Sequence, residues 1–317
     1  MLSEIHNIAV IGAGLMGHGI ALDCARFGYS VSLHDANAQS LSRALDNIKQ
    51  GLEILVEEGV LAEAQAEDVL PRIRSCTELE VAVSDADFVI EAVSEDLAVK
   101  QDLFRTLDAL CPPRTILASS TSTFMPTVLA SVTERRDRVI VAHYFNPPYL
   151  LPLVEVVCGS ETSQQTMDDT NDLLVSMKKQ VVRLRKEVPG FIGNRLQMAL
   201  LREAMSLLED GVATALDVDT VIRCGFGRRL AAAGIFEVFD FGNWSLIFEI
   251  ARTLLPEISS ETEPPGLLQH KIELGELGVS SGKGFYDWSA ASALVRKRQI
   301  ARALAVIANI DAEEPEL

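Results

Sequence analysis

A histidine and a glutamate at the ends of two neighbouring apolar runs carry the most specific chemistry in this chain. His143 closes Val139-Ile140-Val141-Ala142-His143, and Glu155 stands inside Leu153-Val154-Glu155-Val156-Val157. On adjacent strands the two side chains would form a general base and the carboxylate that orients it. A lone histidine at a strand end is ordinarily structural, and Glu155 would then only mark the outward face of an edge strand. The beginning of the chain changes that balance, because it holds the turn of a nucleotide site. A nucleotide site and a proton acceptor together are what hydride transfer from a hydroxyl-bearing carbon requires.

The turn is Gly12-Ala13-Gly14-Leu15-Met16-Gly17, which fits G-x-G-x-x-G directly after the apolar run Ile8–Ile11. Gly12 permits the tight turn, Gly14 lets backbone approach a pyrophosphate, and Gly17 lets helix and strand pack closely. The helix that follows aims its N-terminus at the phosphates. Asp35 ends the second apolar run, about 20 residues further on, where a carboxylate would accept from ribose hydroxyls. That carboxylate would repel a 2′-phosphate, and Ala36-Asn37 supply no arginine. The pattern favours NAD over NADP. The bland alternative for Asp35 is the cap of the next helix.

Alternating elements position these residues. Strands are expected at Asn7–Ile11, Ser30–Asp35, Asp87–Ala92, Thr115–Ser119, Val139–His143, Leu153–Val157 and Gln180–Leu184. Amphipathic stretches such as Leu15–Phe27 and Val99–Leu110 lie between the early ones, which implies an α/β fold with a doubly wound, Rossmann-like sheet. The segment Ala38–Val69 is too long for a simple crossover and reads as an inserted helical pair, broken near Gly59. Strand signals stop after Leu184. Beyond the hinge-like Pro189-Gly190 the pattern is helical: Phe191–Glu209, Ala215–Cys224, Phe236–Leu255 and Leu267–Glu276. The expected domains are 1–187, binding nucleotide, and 188–317, all-α.

Bulk composition narrows the partners. The chain has 317 residues, 48% hydrophobic and 23% charged, enough for two domains. A net charge of −17 disfavours nucleic acid and anionic membranes. Five scattered cysteines without a C-x-x-C or a Cys/His cluster argue against zinc and for reduced thiols in the cytoplasm. No basic leader and no membrane-spanning apolar run is apparent. Residues 230–255 are apolar on nearly all sides, so a second subunit is the natural cover and a homodimer is expected.

Several motifs in one order resemble the 3-hydroxyacyl-CoA dehydrogenase family over nearly the whole chain. They are Gly12-Ala-Gly-Leu-Met-Gly17-His-Gly, Glu91-Ala-Val-Ser-Glu95, Ser119-Ser-Thr-Ser122, His143-x-x-Asn146-Pro, Leu153-Val-Glu155-Val and Pro189-Gly-Phe-Ile-Gly-Asn194-Arg. The resemblance implies that His143 takes a substrate hydroxyl proton while Glu155 holds the imidazole tautomer. It implies that Ser122 and Asn194 donate to the substrate oxygen. Asn146 would meet the nicotinamide end or position the histidine loop, and Glu95 and Lys100 match positions that contact the cofactor. The resemblance also implies a homodimer.

Other details resemble the branch of that family containing L-gulonate 3-dehydrogenase and lambda-crystallin. CoA-using members carry a lysine-rich insertion after the second strand; here it holds Asp46, Glu53, Glu57, Glu58, Glu63, Glu67 and Asp68 against Arg43 and Lys49. An acidic arm would repel the CoA nucleotide. Arg229, beside Arg228, would either pair with a substrate carboxylate or belong to a solvated arginine pair. The expected activity is NAD-dependent oxidation of a small, anionic L-3-hydroxy acid. Two alternatives stay open: a short-chain 3-hydroxyacyl-CoA dehydrogenase and a non-catalytic nucleotide-binding structural protein.

Overall fold

Short β-branched runs become the strands of one sheet: β1 Asn7–Ile11, β2 Ser30–His34, β3 Ile73–Cys76, β4 Phe88–Glu91, β5 Ile116–Ser119, β6 Val139–Tyr144, β7 Leu153–Cys158 and β8 Gln180–Arg183. The computed structural model describes residues 5–313. It divides into two compact units, Met1–Asn194 and Arg195–Leu317.

The sheet order is β3-β2-β1-β4-β5-β6-β7-β8. Every neighbouring pair is parallel except β6 and β7, which run antiparallel. The chain winds outward from β1 through β2 to β3, then returns to place β4 on β1's other side. That reversal opens a crevice at the carboxyl ends of β1 and β4, where open α/β sheets bind dinucleotides. The doubly wound expectation is met, with one strand more than foreseen. β3 reads Ile-Arg-Ser-Cys and forms the sheet edge with Arg74 and Ser75 exposed, so it lacks the apolar alternation that marks a strand.

Helices cover the sheet: α1 Gly17–Arg26, α2 Ala38–Glu57, α3 Glu63–Glu67, α4 Leu79–Val83, α5 Leu97–Leu110, α6 Pro126–Ala130 and α7 Gln164–Ser176. Ile8, Val10, Leu33, Ile90, Leu117 and Val141 are fully buried between the layers. Each such side chain contributes roughly 1.5–3 kcal/mol on leaving water. The inserted pair appears as α2 and α3, joined through Gly59 at φ +71. Leu41, Ala44, Ile48, Leu52 and Leu55 form the buried stripe of α2, and its acids face outward.

The second unit is helical: α8 Gly193–Glu209 leads into it, followed by α9 Ala215–Cys224, α10 Phe226–Leu230, α11 Ile235–Asp240, α12 Trp244–Leu254, α13 Gly266–Glu273 and α14 Ala290–Glu313. The single apolar helix expected around residues 236–255 is two helices. Gly242 ends the first by donating to Phe239 O, and the Asn243 side chain caps the second by accepting from Ser245 N. The burial expected there is not supplied by the chain itself, since Phe236, Phe241 and Phe248 are 75, 91 and 64% exposed. The sequence reading did not anticipate α14. Among the described residues no helix is long and apolar enough to cross a membrane.

Candidate active site

The glycine turn has the shape its residue types require. Gly12 adopts φ +104, and a Cβ there would meet Ala92 O at 2.5 Å. A Cβ on Gly17 would meet Gly12 O at 1.7 Å, so helix α1 seats directly on the turn. Around Gly14 the space is open, with nothing within 4 Å of an added Cβ. Only Gly14 therefore leaves a cradle into which a phosphate could press against backbone. Gly14 and Leu15 are exposed and Met16 is half-buried. Asp35 stands at the end of β2 beside the turn, with Oδ2 accepting from Ala13 N at 3.0 Å and Oδ1 from Asn37 N at 2.9 Å. Each oxygen keeps a lone pair, so the set fits a dinucleotide with free ribose hydroxyls.

At the other end of the crevice β6 and β7 pair in register, His143 opposite Glu155. Glu155 Oε2 lies 2.8 Å from His143 Nδ1, and both side chains are buried. Glu155 Oε1 accepts from the amides of Ile192 and Gly193, each at 2.9 Å. Burial raises the Glu155 carboxyl, but hydrogen bonds from His143, Gly193 and Ile192 outweigh it and hold it below the usual carboxylate range. A carboxylate that stays ionised demands a proton on Nδ1 and leaves Nε2 as the acceptor. Nε2 faces Ser122 Oγ at 3.1 Å. Asn194 Nδ2 donates to the backbone carbonyl of Ser122 at 3.2 Å, which ties the start of α8 to the residue whose hydroxyl faces the histidine.

Models of the 3-hydroxyacyl-CoA dehydrogenase NAD-binding domain and C-terminal domain match residues 7–188 and 190–288. The chain belongs to the 3-hydroxyacyl-CoA dehydrogenase family. It is 37% identical to the probable 3-hydroxybutyryl-CoA dehydrogenase of Bacillus subtilis over 285 residues, 90% of this chain and 98% of that one. It is 32% identical over 306 residues to the 5-formyl-3-hydroxy-2-methylpyridine 4-carboxylate 5-dehydrogenase of Mesorhizobium japonicum, 96% of this chain and 98% of that one. A crystal structure of a 5-dehydrogenase of that name, an NAD+-dependent dismutase, matches 98% of this chain and all of its own, at 31% identity and a TM-score of 0.90. The family's first domain binds NAD, the cofactor expected from the sequence.

Within this family member the structure assigns neighbours the sequence reading left out. Phe145 and Phe191 hold the imidazole, with ring centroids 4.7 and 5.4 Å away. Phe191 is fully buried at φ +51, a left-handed conformation for a bulky residue. Its signal was the Pro189-Gly-Phe-Ile-Gly-Asn194 motif, which carried the family resemblance and a hinge at Pro189-Gly190 but no role for Phe191 itself.

Glu95 and Lys100, matched to cofactor contacts, are occupied within the protein. Glu95 Oε1 accepts from Thr121 Oγ1, Ser122 N, Thr123 N and Thr123 Oγ1, at 2.5 to 3.2 Å. Lys100 is 1% exposed, and its ammonium meets Glu91 Oε1 at 2.6 Å, Glu95 Oε2 at 3.2 Å and Val93 O at 3.4 Å. Three acceptors exhaust three donors. Glu91 also takes Ser119 Oγ at 2.5 Å. The acid–lysine–acid chain thus builds the loop that presents Ser122. Asn146 is exposed, directly after β6 and Phe145. Arg229 is exposed on α10 in the second unit, with no ion pair among the described residues.

Proposed function

We propose that the protein oxidises the 3-hydroxyl of a small L-3-hydroxy acid with a free carboxylate, using NAD. The observation that carries the chemistry is the Ser122–His143–Glu155 relay, in which an ionised, doubly tethered carboxylate leaves His143 Nε2 as a proton acceptor. Bound NAD supplies the hydride acceptor. His143 Nε2 takes the hydroxyl proton, and Glu155 stabilises the imidazolium without itself being protonated. Ser122 Oγ gives up its contact with Nε2 and donates to the developing carbonyl oxygen, joined by the second N–H of Asn194 Nδ2. Glu95 and Lys100 hold the Ser122 loop, and Asn146 lies toward the nicotinamide.

The free-acid reading is favoured over a CoA thioester by charge and by likeness. The outward face of α2 and the α2–α3 turn carries Glu53, Glu57 and Glu58, a poor surface for a nucleotide with three phosphates. The match to the pyridine carboxylate enzyme extends over 98% of the chain and so reaches into α14, beyond the last residue matched by the family model. Arg229, without an ion pair among the described residues, offers a guanidinium for a carboxylate. The 3-hydroxybutyryl-CoA reading keeps the support of the Bacillus subtilis relative.

The exposed aromatic residues of α11 and α12 support a symmetric homodimer through the second unit, and five free cysteines support a reducing, cytoplasmic setting. A thermal-shift and turnover panel tests the function: 3-hydroxy acids, carnitine, pyridine carboxylates and 3-hydroxybutyryl-CoA, each with NAD(H). Preference for the thioester overturns the free-acid reading. No turnover across the panel favours a structural role.

A further inference from the structure

One buried ion pair has no part in the relay. Asp23 is fully buried on α1, and Lys179, just before β8, is 5% exposed. Lys179 Nζ lies 2.5 Å from Asp23 Oδ2 and donates to Pro148 O at 2.7 Å and Leu151 O at 3.2 Å. Asp23 Oδ1 meets Arg26 Nε and Nη2 at 2.9 and 2.8 Å. Two charges removed from water in one place are costly unless their partners matter, and here the lysine's partners are two carbonyls of a single turn.

That turn, residues 146–151, follows Tyr144 and Phe145 at the carboxyl end of β6, three residues beyond His143. It closes on itself, Leu150 N and Leu151 N donating to Pro147 O at 3.0 and 3.1 Å. It also rests on α1, because a Cβ on Gly19 would stand 2.8 Å from Pro148 Cδ. Gly19 and Asp23 are four residues apart on a helix and share a face. The helix whose N-terminus faces the phosphates therefore grips this turn at two successive points, by contact at Gly19 and through Lys179 at Asp23. Tyr149 completes the seat against Gly51 of α2, where an added Cβ would lie 3.3 Å from its ring.

We propose that Lys179, held by Asp23, is a positioning residue for the nicotinamide half of NAD, fastening the Asn146-bearing turn to the helix that receives the pyrophosphate. The proposal rests on Asn146 lying toward the nicotinamide, not on the identity of the substrate. Asn146 then sits at a set distance from both the phosphate cradle and His143, so the ring is aligned before substrate arrives. ADP-ribose, which lacks the nicotinamide, does not use this turn.

The test compares NADH and ADP-ribose by isothermal titration on the purified full chain. Lys179→Met alone leaves Asp23 buried without its cation and is expected to melt earlier. The double variant Asp23→Asn/Lys179→Met removes both charges and keeps an acceptor for Arg26. Gly19→Ala shifts Pro148 without touching a charge. In the wild type NADH should bind more tightly than ADP-ribose. In the double variant and in Gly19→Ala, ADP-ribose should bind within about twofold of wild type, while NADH loses about tenfold, the value of one hydrogen bond. An unchanged NADH to ADP-ribose ratio in the folded variants overturns the proposal. So does a parallel loss of both ligands, which a merely structural pair would give, or equal wild-type affinity for the two. A failed substrate search leaves this ratio measurable, so the two readings fail separately.

Discussion

Glu155 binds His143 with one carboxylate oxygen and the start of α8 with the other. The base and the helix that begins with Gly193 and Asn194 are thus set by a single side chain. In Glu155→Gln the amide oxygen keeps the Ile192 and Gly193 donors, so its NH2 turns toward His143 Nδ1. The imidazole must then carry its proton on Nε2, the wrong nitrogen for a base. kcat is expected to fall on the order of 10²–10⁴-fold while NADH affinity stays within about twofold. Steady-state kinetics with NADH titration checks this; near-normal kcat would remove Glu155 from the relay.

Three carboxylates sit below their usual range against the pull of burial. Burial raises Glu155, Glu95 and Asp87, but each is brought down by hydrogen bonds: Glu155 by His143 and two amides, Glu95 by Thr121, Thr123 and Lys100, Asp87 by His6 N, Asn7 N and Arg114. A carboxyl depressed on folding stabilises the protein above its unfolded value and loses that contribution as pH falls through its folded value. The contribution of these carboxylates to Tm should therefore be flat above about pH 5 and drop below about pH 4, near the ordinary carboxylate range. Glu155→Gln should flatten part of that drop. Parallel Tm curves for the variant and wild type would contradict the assignment.

Much of the site was legible in the sequence because its constraints are local. The glycine turn, Asp35 and the His143/Glu155 pairing depend on strand register and short loops, and each lies where alternation placed it. What escaped depends on contacts made across the chain. Lys100 was matched to a cofactor contact by resemblance, and nothing local shows that Glu91 and Ser119, on two strands, close around it. Lys179 follows Lys178 and Asp23 lies within the amphipathic stretch Leu15–Phe27, and nothing in either local context shows that the two meet. Edge strand β3 carried no apolar alternation. The split between α11 and α12 turned on Gly242-Asn243, which hydrophobicity outweighed in the sequence reading.

The Lys100 cluster offers a stability test. Lys100→Met leaves the fully buried Glu91 without its cation, and breaking a buried pair from one side costs roughly 3–5 kcal/mol. Glu91→Gln/Lys100→Met should recover a large part of that loss in urea unfolding. It should still be catalytically poor, because Glu95 loses the ammonium that anchors the Ser122 loop. A double variant as unstable as the single would mean that the cluster is held by something other than charge.

The proposed role of Asp35 in cofactor choice can be tested by substitution. Asp35→Ser with Ala36→Arg removes the charge beside the ribose and places a guanidinium where a 2′-phosphate would lie. The kcat/KM ratio of NADP to NAD should rise, and the Ala13 N to Asp35 Oδ2 bond is lost with it, so NAD use should weaken too. Wild-type enzyme that already prefers NADP would refute this account of Asp35.

Substrate class can be separated from chemistry at Arg229. If its guanidinium pairs with a substrate carboxylate, Arg229→Met should raise KM for a free 3-hydroxy acid. The loss of a charged hydrogen bond, roughly 1.5–3 kcal/mol, corresponds to about 10- to 150-fold. NADH affinity and the pH dependence of kcat should not move, because neither the glycine turn nor the His143 relay includes this residue. A CoA thioester lacks that carboxylate at its reacting end, so the same variant should process 3-hydroxybutyryl-CoA as wild type does. Measuring kcat/KM for both substrates on both proteins gives a two-by-two comparison. Loss confined to the free acid supports the carboxylate pair. Equal loss for both would show that Arg229 supports the fold of α10, and a wild-type preference for the thioester would return the protein to the CoA-using members of its family.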